Sequence, residues 1–119
     1  MYKEENIIRH YETIIVFTPV LSEDQIKNSY NEYKNYLIKK NVEIIKKEKW
    51  GMKKLLYKIK NKKNGFFYLF EYKTNVNFIK KFNLKMINDE RIIRFLIIKM
   101  NKYAIEYSKT RTIKKNEKK

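Results

Sequence analysis

The chain holds one histidine, His10, and no cysteine, and this removes most of the usual chemistry of an active site. A histidine-centred triad or a metal centre would need further ligands or nucleophiles that are not supplied, and thiolate sites and disulfides are excluded outright. Asp89 and Glu90 are adjacent in a turn. Carboxylates so placed are solvated or ion-paired rather than set across a substrate as acid and base. Gly51 and Gly65 are the only glycines, so there is no glycine-rich phosphate loop. No catalytic residue, metal ligand, cofactor or small-molecule substrate is therefore expected, and the chain is read as a non-enzyme. What remains is charge: 29 Lys and Arg stand against 13 Asp and Glu, a net +16 at pH 7. Such an excess repels itself unless a polyanion neutralises it, which points to nucleic acid.

The cationic residues are not spread evenly. Lys46, Lys47, Lys49, Lys53, Lys54, Lys58, Lys60, Lys62 and Lys63 cluster with only Glu43 and Glu48 nearby to offset them. Lysines act as point charges on phosphate, so binding here is expected to be salt-sensitive and directed by shape. The four arginines, Arg9, Arg91, Arg94 and Arg111, carry a planar fork that suits phosphate better. Abundant Lys, Asn, Ile and Tyr also fit AT-rich coding, and solvated surface is the default place of lysine, so part of the charge is discounted. A spanning run of about 20 apolar residues is absent, as is an amphipathic segment with lysines along one face, so no membrane contact is expected. The first ten residues lack a signal-like apolar stretch, and a cytoplasmic location is expected.

These charges need a scaffold. His10 to Phe17 is rich in β-branched and aromatic residues and stops at Pro19, which predicts a first strand. Ser22 followed by Gln25, with Glu23 and Asp24 between, is a capping box. It starts a helix that runs to about Lys40 with Ile26, Tyr30, Tyr33, Leu37 and Ile38 on one face. Asn41 is a C-terminal cap, and Val42 to Trp50 passes through a bulge at Gly51 into Leu55–Ile59 as one bent strand. Asn61 to Gly65 is a hairpin signal, and Phe66 to Lys73 returns. A second helix spans Val76 to Ile87 with Ile79, Phe82, Leu84 and Met86, and Ile92 to Met100 is the last strand. Residues 101–119, with seven Lys or Arg and two Glu, form a basic tail that is mobile when free. The order strand, helix, strand, strand, helix, strand predicts an α+β, ferredoxin-like βαββαβ sandwich: a four-stranded antiparallel sheet with two helices on one face.

Period-two alternation assigns the faces. Thr13, Ile15, Phe17, Phe66, Tyr68, Phe95 and Ile97 turn towards the helices, and Ile14, Val16, Phe67, Leu69, Leu96 and Ile98 turn to the open face. Either the chain's own tail covers that apolar face or a partner protein does. Asn64 to Glu71 partly overlaps the aromatic signature of RNA-recognition-motif sheets, which would make the chain an independent single-stranded RNA-binding module. The inward placement of Phe66 and Tyr68 argues for core rings instead. A phosphatase-like enzyme on the same scaffold would need an anion cradle at Pro19 to Ser22, where there is no glycine.

Four segments in order carry a resemblance: His10-Tyr11-Glu12-Thr13, Trp50-Gly51-Met52-Lys53-Lys54-Leu55-Leu56-Tyr57-Lys58-Ile59, Asn64-Gly65-Phe66-Phe67, and Asp89-Glu90-Arg91-Ile92-Ile93-Arg94-Phe95. From about residue 8 to 107 the chain resembles the bacterial small-subunit ribosomal protein six family, with Lys58 where that family often has proline. The resemblance implies one ferredoxin-like ribosomal protein domain over residues 1–100, followed by the 101–119 tail. It implies a structural constituent of the cytoplasmic small ribosomal subunit that pairs with small-subunit ribosomal protein eighteen on the central domain of the small-subunit ribosomal RNA. Arg9, Lys53, Lys54, Arg91 and Arg94 would then lie near RNA or the partner, joined on the RNA side by Lys62 and Lys63 of the hairpin. The open-face residues Ile14, Val16, Phe67, Leu69, Leu96 and Ile98 would receive the partner.

Overall fold

A computed structural model of the chain describes residues 7–107 apart from 102 and 104. Its elements are β1 (Arg9–Phe17), α1 (Glu23–Lys39), β2 (Glu43–Ile59), β3 (Lys62–Thr74), α2 (Val76–Ile87) and β4 (Ile92–Lys99). The strands form one antiparallel sheet in the order β2-β3-β1-β4, and the expected ferredoxin-like fold is found. β2 and β4 are thus the edges, and β1 and β3 lie at the centre.

Local chemistry sets the helix ends. Gln25 N donates to Ser22 Oγ at 3.2 Å and Ser22 N donates to Gln25 Oε1 at 2.8 Å, which closes the capping box. Asn75 caps α2 by accepting from Phe78 N at 2.9 Å. Asn41, just past the end of α1, has φ 60°, a left-handed conformation that Asn tolerates. α1 buries Ile26, Ser29, Tyr30, Tyr33 and Leu37, whereas Ile38, expected on that face, is turned one position away and exposed. α2 buries Phe78, Phe82 and Met86, an i, i+4, i+8 stripe. Leu84, also expected inside, falls off that stripe and is exposed.

Between helices and sheet the core is aromatic. Phe17 meets Tyr30 edge-on at 5.7 Å, Tyr36 stacks on Phe82 at 6.0 Å, and Phe82 meets Tyr72 edge-on at 6.2 Å. A fully buried ring such as Phe17 or Phe82 is worth about 1.5–3 kcal/mol, and the half-buried Tyr36 correspondingly less. Thr13 Oγ1 and the Tyr72 hydroxyl share a buried hydrogen bond of 2.6 Å, so these two polar tips satisfy each other, whereas the buried Tyr30 hydroxyl meets no protein partner among the described residues.

The β2–β3 connection differs from the expected five-residue signal. Ile59 pairs with Lys62, so the turn is only Lys60-Asn61, with φ 49° and 65°. Two successive left-handed residues match the twist of an antiparallel ribbon, and Asn accepts that conformation. Gly65 therefore lies in β3, where a Cβ would stand 2.4 Å from Val16 Cγ1 and 3.2 Å from the Phe17 carbonyl oxygen. Its role is close approach of β1 rather than a turn. Gly51, with φ 76°, sits at a register shift as expected of a bulge. Beyond β4, Met100 N donates to the His10 carbonyl at 2.8 Å, and Ile105 N donates to the Asn101 carbonyl at 3.1 Å in a helical turn. Residues 108–119 of the basic tail, and with them the expected mobility, lie outside the described residues.

Candidate nucleic-acid and partner interface

β2 and β3 extend past the end of β1 as a two-stranded arm, residues 53–65, and residues 49–70 around it contain seven lysines and no carboxylate, six of the lysines on the arm itself. Lys46 stands outside this run and is engaged, 3.5 Å from Glu48 and 3.8 Å from Glu71. Lys49 lies 5.5 Å from the Tyr30 ring centre and Lys53 lies 5.8 Å from that of Trp50, so aromatic faces steady both ammonium groups. Lys53, Lys54 and Lys63 are exposed and Lys62 is half-buried. Cross-strand pairing sets Lys53 opposite Gly65 and Lys54 opposite Asn64, at the base of the arm just past the last row shared with β1.

The arginines separate. Arg94 is exposed on β4 opposite Val16, at the end of the sheet from which the arm extends. Arg9 is exposed opposite Thr74, seven residues along β1 from Val16 and therefore roughly 23 Å away. Arg91 is tied into the fold. Its Nε donates to Asp89 Oδ1 at 2.9 Å, one terminal nitrogen donates to Asp89 Oδ2 at 2.7 Å and to Glu32, and the other donates to Ser29 Oγ at 3.2 Å. The Tyr33 hydroxyl also donates to Asp89 Oδ2, at 2.7 Å. Burial pushes the Asp89 carboxyl up, but the hydrogen bonds from Arg91 and Tyr33 outweigh it and hold the group below its ordinary range. Burial and the bond to Asp89 push the Tyr33 hydroxyl well up. Arg91, expected to face RNA or a partner, instead clips the start of β4 to α1, with its charge answered by two carboxylates.

The open face is built in cross-strand rows. Leu69, Ile14 and Leu96 form one, and Phe67, Val16 and Arg94 the next. Of the six apolar residues expected to meet a partner, Leu96 and Ile98 are 51% and 38% exposed, Ile14 and Phe67 are half-buried, and Val16 is buried. Leu69 is 0% exposed. Val16 and Leu69 are thus the floor of the face, not contacts open to a second molecule. Part of the covering was not foreseen: Trp50 stacks on Phe67 at 6.2 Å and 18°. Leu55 and Ile59 from the arm close one side of an apolar groove of about 200 Å³ over Ile14, Val16, Phe67 and Leu96. A buried carboxylate completes the surface, Glu71 Oε2 lying 2.9 Å from His10 Nε2, which gives His10 its structural role in the strand. Leu56 and Tyr57 were also missed. Regular alternation turns Tyr57 to the same side as Leu55 and Ile59, yet it projects into solvent.

Among the described residues no group of three or more His, Cys, Asp or Glu could hold a metal ion, and no helix is long and apolar enough to cross a membrane. Residues 10–99 match the family profile of ribosomal protein S6. The chain belongs to the ribosomal protein S6 family. It is 45% identical over 112 residues to small ribosomal subunit protein bS6 of Bacteroides thetaiotaomicron, covering 93% of this chain and 98% of that one. It is 40% identical over 111 residues to the bS6 protein of Christiangramia forsetii, covering 93% and 99%. The S6 fold itself is seen in the crystal structure of 30S ribosomal protein S6 from Thermotoga maritima, which superposes with a TM-score of 0.76 at 20% identity over 89% of this chain and 98% of that one. The S6-family match spans all four strands and both helices, so the arm and the open face both lie within it.

Proposed function

We propose that the chain is a structural, non-catalytic constituent of the bacterial small ribosomal subunit, and that it binds the central domain of the small-subunit ribosomal RNA together with small-subunit ribosomal protein eighteen. The observation that carries this reading is the adjacency of two unlike surfaces. An arm with six lysines and no carboxylate projects beside an open sheet face whose exposed members are Leu96 and Ile98. A polyanion suits the first and a protein suits the second. On this reading Lys53, Lys54, Lys62, Lys63 and Arg94 meet phosphates at one end of the sheet, and Arg9 makes a separate contact at the other. Leu96 and Ile98, with the half-buried Ile14 and Phe67, receive the partner. The cytoplasmic location follows from the ribosome, and the basic tail orders on assembly.

The independent single-stranded binder is the weaker reading. Tyr68, Phe70 and Tyr72 of the central strand β3 are buried under the helices, so they cannot stack on bases, and Phe67 on the other face is already stacked by Trp50. Filter binding of a central-domain RNA fragment, with and without protein eighteen at fixed salt, tests the proposal. The partner should tighten binding strongly. Equally tight binding by this chain alone would count against it.

A further inference from the structure

The arm carries a structure that phosphate attraction alone does not require. Between the pairs Lys54 with Asn64 and Ile59 with Lys62, β2 advances five residues while β3 advances two. Three residues must leave the ladder, as in an enlarged bulge. Leu55 and Ile59 line the open-face groove, so the extruded piece is Leu56-Tyr57-Lys58. Leu56 is 95% exposed and Tyr57 is 84% exposed. The fold gains almost nothing from an apolar pair left in water, and both side chains could be polar without loss of packing.

The surroundings select the ligand. Tyr57 sits in the carboxylate-free stretch, beside Lys58 on the bulge, Lys60 in the turn, and Lys53 and Lys54 before them. A planar ring in a cationic field fits a molecule that joins a flat apolar face to an anionic backbone, and that is an unpaired nucleotide. A protein docking here would need an acidic surface to answer these lysines, while the surface suited to a protein is the sheet's open face. We propose that Tyr57 stacks on an unpaired base of the bound RNA, with Lys58 and Lys60 on the flanking phosphates and Leu56 against the edge of the same base step. Tyrosine suits the task because its side chain has only two torsions to immobilise. The inference rests on the reading that the chain binds RNA, and it adds a base contact to what would otherwise be charge alone.

The test uses the full chain with ribosomal protein eighteen on a central-domain RNA fragment, comparing wild type, Tyr57→Ala, Tyr57→Phe and Lys58→Ala/Lys60→Ala. The affinity of the two proteins for each other is measured separately. Loss of one base stack should weaken RNA binding by roughly 5- to 150-fold in Tyr57→Ala, leave Tyr57→Phe within about twofold, and leave the salt dependence unchanged. The lysine variant should weaken binding and flatten the salt dependence. RNA binding by Tyr57→Ala equal to wild type, while the lysine variant is impaired, overturns the stack and leaves RNA binding by the arm intact. A Tyr57→Ala defect found only in the protein pair assigns the bulge to the partner and also overturns it. Failure of the wild-type pair to bind the RNA would overturn the proposed function and this inference together.

Discussion

Replacing Asp89 by Asn should destabilise the fold by about 2 kcal/mol at pH 7, with a loss that fades in acid. The carboxylate accepts from the Tyr33 hydroxyl at 2.7 Å, from Arg91 Nε at 2.9 Å and from an Arg91 terminal nitrogen at 2.7 Å, and it also accepts from Arg91 N at 3.0 Å. Asparagine keeps the shape but loses the charge, and its amide turns a donor towards one of these donors. Hydrogen bonds to charged groups contribute about 1.5–3 kcal/mol each, and stripping a partner from a fully buried ion pair costs about 3–5 kcal/mol. The Arg91 side chain is 34% exposed and keeps Glu32, so water and that second carboxylate recover part of the loss. The lower figure of about 2 kcal/mol follows. Folding holds the Asp89 carboxyl below its ordinary range, so its contribution is complete above the unfolded value of about 3.9 and is lost as pH falls through the lower folded value. Urea unfolding of wild type and Asp89→Asn in steps from pH 7 to pH 3 reads the gap directly. A gap absent at pH 7, or one that stays constant into acid, would refute the assignment of Arg91 and Asp89 to an internal clip.

Other substitutions separate scaffold from surface. Gly65→Ala should cost about 1–3 kcal/mol, read by urea unfolding, because the new methyl meets Val16 Cγ1 at 2.4 Å. Leu69→Ala should lower stability by about 2–5 kcal/mol in the same assay, whereas Leu96→Ser should leave stability within about 0.5 kcal/mol and weaken binding of the partner protein in calorimetry. Lys53→Ala/Lys54→Ala should weaken RNA binding by the assembled pair and reduce the slope of log affinity against log salt by about 1 for each phosphate no longer neutralised. Arg94→Ala should act on the same binding assay without changing the unfolding midpoint, while Arg91→Ala should move that midpoint.

The parts of this protein written locally were legible in the sequence. The capping box at Ser22, the bulge at Gly51 and the alternation along β1, β3 and β4 each depend on neighbours a few residues away, and each is found in place. Element order then fixed the topology. What escaped depends on distant neighbours. Gly65 looks like a turn residue until β1 is brought against it, and only then does its missing side chain acquire a steric reason. Arg91 looks like a free cation until α1 presents Glu32 and Ser29 to it. Leu69 carries an outward-facing position in the alternation, but it lies on a central strand in the row between Ile14 and Glu48 and is fully buried, which period two cannot register. The hairpin tip was misplaced because Asn-Gly is the stronger turn signal, whereas surplus residues in β2 moved the reversal to Lys60-Asn61.

The most direct test of the central claim is the structure of the small ribosomal subunit purified from cells expressing this chain. We expect the βαββαβ body on the central domain of the RNA, the lysine arm and Arg94 against phosphates, and protein density over Leu96 and Ile98. A subunit in which this chain is absent, or in which the arm points into solvent and the sheet face is bare, would contradict that claim.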